Sequence, residues 1–258
     1  MIQGKKLYKQ FQKRVRKLPD HLAAFARSAD PEDLHRLRLG LKKLKAFSFM
    51  VEKTGALEKP PAGLTEIWQL FREAGEVRDR WMEHQLLSKL EGIPDSIPRT
   101  HAESEKEARA RFIARAPEWT TKLQQLIQVP DPGFGKISKR KLEKLFRKQL
   151  AKLSNSLSKK NTPESLHPCR KKIKRLMILF SITRKEGLEL RAGMDYLDQL
   201  QDIIGLWHDT EMVLKMLPKT KETQGVRQKL TGLGAGQLAR ARSMASRFEK
   251  KALKKGRF

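Results

Sequence analysis

The chain has one cysteine among its 258 residues, Cys169. No intrachain disulfide can form, no thiolate pair is available for zinc, and a reducing compartment is the natural setting. Aromatics are scarce: Phe, Trp and Tyr together make up 7%. That is thin for the stacking platforms that single-stranded nucleic acid requires. Trp68, Trp81, Trp119 and Trp207 are not interleaved with the basic stripes and read as core. No apolar run approaches the ~18 residues of a membrane span. The start, Met1-Ile2-Gln3-Gly4-Lys5-Lys6, lacks the apolar stretch of a signal peptide, so a cytoplasmic protein is expected. Gly232-Leu233-Gly234-Ala235-Gly236 lacks the Gly-Lys-[Ser/Thr] that would complete a phosphate-binding loop. His21, His35, His84, His101, His167 and His208 form neither HxxxH nor HExxH. No metal and no other cofactor is expected.

Acidic residues are also short. There are 29 Asp plus Glu against 56 Lys plus Arg, a formal net charge of +27. Such an excess repels itself and destabilises a compact chain unless a polyanion uses it. Nucleic acid, inorganic polyphosphate, anionic lipid and phosphorylated metabolites are the candidate partners.

What is abundant is ordered. His35-Arg36-Leu37-Arg38-Leu39-Gly40-Leu41-Lys42-Lys43-Leu44 and His167-Pro168-Cys169-Arg170-Lys171-Lys172-Ile173-Lys174-Arg175-Leu176 share the pattern H-x-x-R-x-x-x-K-[KR]-L. Downstream, Gly75-Glu76-Val77-Arg78-Asp79 matches Gly205-Leu206-Trp207-His208-Asp209. Order and spacing are kept, which marks a tandem duplication.

Helical periodicity runs through nearly every long segment. Leu7, Phe11, Val15 and Leu18 make one stripe, and Leu142, Phe146, Leu150 and Leu153 repeat it. Helix starts are signalled by Ser28-Ala29-Asp30-Pro31 and by Asn161-Thr162-Pro163-Glu164. A third long helix is expected over about 64–90, with a copy over about 192–217, and shorter helices over about 99–127 and 223–254. The Pro- and Gly-rich stretch from Val129 to Gly135 reads as a linker. The expected fold is all-α, with one helical bundle over residues 1–130 and a second over 136–258. The final run of lysines through Lys254 and Lys255 reads as a frayed basic end.

On a helical wheel at about 100° per residue, Leu37, Leu41 and Leu44 face the core. His35, Arg38, Lys42 and Lys45 form a stripe nearly opposite. In the copy His167, Arg170, Lys171 and Lys174 do the same, with Cys169, Ile173 and Leu176 on the core side. A row of cations rising ~5 Å per turn suits a chain of phosphates, each oxygen accepting charge-assisted bonds. Gly75 and Gly205 sit inside helical periodicity and point to a close helix–helix approach. Asp79 and Asp209 read either as holding a neighbouring cation of the site in place or as simple ion pairs without a function. Arg14 interrupts the first apolar stripe and reads as a pocket-facing or snorkelling cation. Asp195, Asp198, Asp202 and Asp209 share a face. The first three match Thr65, Trp68 and Arg72, so this acidic row is unrepeated and reads as charge pairing rather than a Mg²⁺ site.

Taken together, His35/Arg38/Lys42, His167/Arg170/Lys174 and the two Gly-x-x-[Arg/His]-Asp segments resemble the CHAD family, the conserved histidine α-helical domain. The resemblance covers nearly the whole chain. It implies two helical bundles related by pseudo-twofold symmetry around a basic groove or pore, and binding of inorganic polyphosphate without catalysis. Carried over, the binders are His35, Arg38, Lys42, Lys45 and Arg78, with His167, Arg170, Lys174, Arg175 and His208. The family also implies contact with polyphosphate granules. Two positions depart from internal symmetry: Met177 stands where Lys45 does, and His208 where Arg78 does. The alternating-Glu strand of the triphosphate-tunnel domain often fused to this family is absent. The rival functions are nucleic-acid binding and a metal-dependent phosphohydrolase or kinase built on Asp202 and Asp209.

Overall fold

The computed structural model describes residues 1–159, 163–184 and 193–253. Among them every named element is a helix, and the only β-type pairing is an isolated bridge between Ile2 and Ile137. Asn161, Thr162, Ala192, Lys254 and Lys255, used in the sequence reading, lie outside the described residues. The chain forms two units, one of residues 1–88 and 96–139, the other of 89–95 and the chain from 140 onward.

In the first unit the chain runs α1 (Gly4–Val15), α2 (Leu18–Ser28), α3 (Pro31–Lys53), α4 (Leu64–Leu87), α5 (Ser96–Ala114) and α6 (Ala116–Gln128). The stripe read as one helix from Leu7 to Leu18 is broken between α1 and α2. Pro19 lies in the first turn of α2, where its missing N–H costs nothing, whereas it cannot sit inside a continuous helix. Its counterpart, Ser154, has no such restriction, and α7 (Lys139–Lys159) runs straight through. Pro117 splits α5 from α6 in the same way. Asp30 caps α3 as its sequence predicts, its carboxylate accepting from the Glu32 amide at 2.8 Å. The core joins Leu7 and Phe11 of α1, Leu22 and Phe25 of α2, Leu37, Leu41, Leu44 and Phe47 of α3, Ile67 and Leu70 of α4 and Trp119 of α6, all essentially fully buried. Burying each such side chain stabilises the unit by about 1.5–3 kcal/mol.

The stretch read as a linker is part of this unit. Phe134 is buried and its ring lies 6.0 Å from Phe11 and 6.2 Å from Phe47. The Asp131 carboxylate accepts from the amides of Gly133 and Phe134, and Gly133 takes the left-handed backbone that the turn requires (φ 83°). Composition alone signals a turn here; the buried aromatic inside it is what anchors it.

The second unit is built from α7, α8 (Pro163–Arg184), α9 (Met194–Met216), α10 (Lys221–Ser246) and a π-helical turn, Glu249–Leu253. Phe146 of α7 stacks on Phe180 of α8 at 4.5 Å, and Lys172 of α8 donates to Ser156 of α7 at 3.0 Å. Leu197, Leu200 and Ile204 of α9 are fully buried, as are Ile173 and Leu179 of α8. α8 packs on α9, as α3 does on α4. In each unit this pairing sets the repeated basic helix against the helix that carries the repeated glycine.

Candidate anion-binding site

The cation row of α3 does not point away from the core, as the wheel suggested for Arg38. α4 covers part of it. The Arg38 guanidinium lies 5.3 Å from the Phe71 ring, and a Cβ built on Gly75 would meet its Nη1 at 2.9 Å. The wheel gives the angle of a side chain but not the neighbour that fills that direction. Arg38 is half-buried, and its Nη1 is enclosed without a hydrogen-bond partner among the described residues. Burial pushes the guanidinium below its ordinary value; the Asp79 charge opposes this and Arg78 adds to it. Arginine nevertheless stays protonated near neutral pH. A partly desolvated, under-satisfied cation gains from an arriving anion.

Lys45 is exposed, with Nζ 5.0 Å from the Phe71 ring and 5.5 Å from Trp68. Phe71 therefore serves two cations of α3, and Trp68 stands beside the basic stripe rather than in the interior assigned to it. Trp119 and Trp207 are buried. The remaining cation of the row, Lys42, is half-buried, and His35 is exposed. His35 and Arg78 line one cavity of about 140 Å³ together with Arg109, Leu34, Val77 and Trp81. Arg78 donates to Asp79 at 3.2 Å, both largely exposed, so the pair contributes little to stability. Arg14 is not in this row: it sits 4.7 Å over the Phe47 ring and donates to the Gln10 carbonyl at 2.8 Å.

The second unit repeats the central feature. A Cβ on Gly205 would meet Arg170 at Nη2 (2.8 Å) and Nε (3.0 Å), and Arg170 Nε donates to the Gln201 carbonyl at 3.3 Å. The His167 and His208 rings lie 4.1 Å apart; in sequence they correspond to His35 and Arg78. Lys171 is exposed, while Lys174 and Arg175 are half-buried, and burial lowers the Arg175 pKa. Asp209 is half-buried. Asp195, Asp198 and Asp202 are exposed, the last two accepting from the Gln201 amide at 3.3 and 2.6 Å. Among the described residues no three His, Cys, Asp or Glu side chains converge on a metal position. Cys169 is buried, and burial pushes its thiol up, which leaves it a poor nucleophile.

Two features escaped the sequence reading. The aromatic platform of Phe71 and Trp68 had a signal, because Lys45, Trp68 and Phe71 become Met177, Asp198 and Gln201 in the repeat. The cation and its rings change together. The other is a second basic surface at the junction of α1 and α2, where the exposed Lys9, Lys13, Arg16 and Lys17 line an open concavity of about 510 Å³ with Tyr8, Gln12 and Asp20. The i, i+4 spacing of Lys9, Lys13 and Lys17 was legible, and it recurs in the second half at Lys144, Lys148 and Lys152.

Fold and site together define an all-α protein built from helical bundles, with a duplicated basic helix docked on a glycine-bearing one. The chain belongs to the CHAD domain family, which matches residues 9–218. The crystal structure of the CHAD domain from the plant Ricinus communis superposes with a TM-score of 0.60 at 17% identity, over 95% of this chain and 91% of that one. At that identity the likeness concerns the fold. No curated protein matches the chain. No helix among the described residues is long and apolar enough to cross a membrane.

Proposed function

We propose that the protein binds inorganic polyphosphate without cleaving it. One observation carries this reading: in both units an arginine one turn after the repeated histidine is partly buried against a neighbouring helix, at the head of a row of further cations. Polyphosphate presents a charge at every repeat, so it engages several such cations at once. The binders on this reading are His35, Arg38, Lys42, Lys45 and Arg78, with His167, Arg170, Lys171, Lys174, Arg175 and His208; Arg14, held over Phe47, is the weakest member of the set. The net charge of +27 supports a polyanionic partner. The protein then works in the cytoplasm, in contact with polyphosphate granules.

The test is retention of polyphosphate of defined length by the full chain, in EDTA and in Mg²⁺, with the chain length read afterwards. Binding in both and unchanged length are expected. Shortening with release of orthophosphate would establish the phosphohydrolase alternative. Displacement by DNA or RNA at equal phosphate concentration would establish nucleic-acid binding.

The two units are expected to contribute unequally. Lys45→Met, which gives α3 the residue found in α8, should weaken binding about three- to tenfold, since a charge-assisted contact and its orienting rings are lost together. Met177→Lys should strengthen it by less, because Asp198 and Gln201 offer no aromatic support. Isothermal titration of both variants reads the difference.

A further inference from the structure

We infer that Gly75 and Gly205 are positioning residues: each, by lacking a side chain, seats the arginine of the neighbouring helix and fixes the direction of its guanidinium. The inference rests on the polyphosphate reading for its functional consequence, but its geometry stands apart from it.

Glycine weakens a helix interior relative to alanine, so a mid-helix glycine calls for a reason. Backbone conformation is not that reason, since the positive-φ glycines among the described residues are Gly55, Gly63, Gly92 and Gly133 and include neither of these two. Backbone-to-backbone approach is not the reason at Gly75 either. The three atoms nearest its missing Cβ are Nη1, Cζ and Nη2 of Arg38, at 2.9, 3.8 and 3.9 Å. At Gly205 they are Nη2, Nε and Cζ of Arg170, at 2.8, 3.0 and 3.2 Å. The same arrangement occurs in both units. In each, the guanidinium spans one turn of the neighbouring helix: from Phe71 to Gly75 on α4, and from the Gln201 carbonyl to Gly205 on α9.

A methyl group at either position would overlap the far end of a flexible side chain, not a backbone. The arginine would therefore move while the helices stay in place. The effect of a glycine substitution is redirection of a cation, and it should vanish when that cation is gone.

The experiment is a double-mutant cycle on the full chain with Gly75→Ala, Arg38→Ala and both together, read in polyphosphate affinity and in melting temperature. Gly75→Ala is expected to weaken binding about tenfold beside Arg38, as one charge-assisted contact is lost, and to change nothing further in the Arg38→Ala background. Melting temperature should rise by about 2–4 °C in the Arg38→Ala background, the gain of a mid-helix alanine in a chain of this size, and by less beside Arg38. Equal losses of affinity in the two backgrounds, or equal gains in melting temperature, would overturn the positioning role. If the parent chain does not retain polyphosphate, the polyphosphate reading fails, and the melting-temperature cycle alone decides whether the glycine seats the arginine. Gly205→Ala with Arg170→Ala repeats the cycle in the second unit should Gly75→Ala disturb folding, which circular dichroism reports.

Discussion

Replacing Arg38 and Arg170 together with alanine is expected to lower polyphosphate affinity by about a hundredfold or more. Each arginine is half-buried, so each contact it makes with an anion is formed in a partly water-excluded place. A hydrogen bond to a charged group contributes about 1.5–3 kcal/mol, and two such losses at separate sites add. The control removes the same charge elsewhere: Lys254→Ala with Lys255→Ala, in the basic end beyond the described residues. Long-range field effects are then equal in the two variants, and the control should lose no more than about threefold. Equal losses in both variants would mean that binding is diffuse electrostatics. Stability is expected to hold or rise in the arginine variant, because an enclosed Nη1 without a partner is removed at Arg38. Thermal unfolding checks this.

Much of this arrangement was legible in the sequence, and the rest was not for identifiable reasons. Apolar stripes such as Leu37, Leu41 and Leu44 repeat at helical spacing and end up buried. Asp30-Pro31 is a local signal, satisfied within one turn, and it starts α3 where it should. The break at Pro19 was also local, but a continuous apolar stripe hid it: the core can accept the same residues from one helix or from two. Seating of Arg38 on Gly75 is a different case. The two residues belong to different helices and meet only because α3 packs on α4. The wheel placed Arg38 nearly opposite the core stripe, but a long side chain turns toward a neighbour that offers space, and Gly75 of α4 offers it. Phe134 escaped for the opposite reason. Its Pro- and Gly-rich surroundings signal a turn, and a turn does not reveal that one of its side chains is buried against Phe11 and Phe47.

Polyphosphate affinity is expected to fall steeply with salt, by about a thousandfold between 50 and 200 mM if about six phosphates are engaged. Each neutralised phosphate releases condensed counterions, and the slope of log K against log salt is about −0.7 to −0.9 per contact on nucleic acids. Polyphosphate carries its charges at least as densely, so that scale serves as a guide. The slope also reports which cations touch the ligand. An arginine in contact with phosphate lowers it by about one unit when removed, whereas an exposed lysine that acts only through the screened field changes it far less. Arg38→Ala and Arg170→Ala should therefore each flatten the line, and the Lys254/Lys255 control should flatten it far less. Lys9, Lys13, Arg16 and Lys17, the second basic surface at the α1–α2 junction, are tested by the same plot. If their removal flattens the line as much as loss of the arginines, the polyanion follows α1 rather than the repeated row, and the assignment of the site moves with it. An affinity unchanged between 50 and 200 mM would sink counterion release as the source of binding, and with it the case for any polyphosphate chain as the ligand.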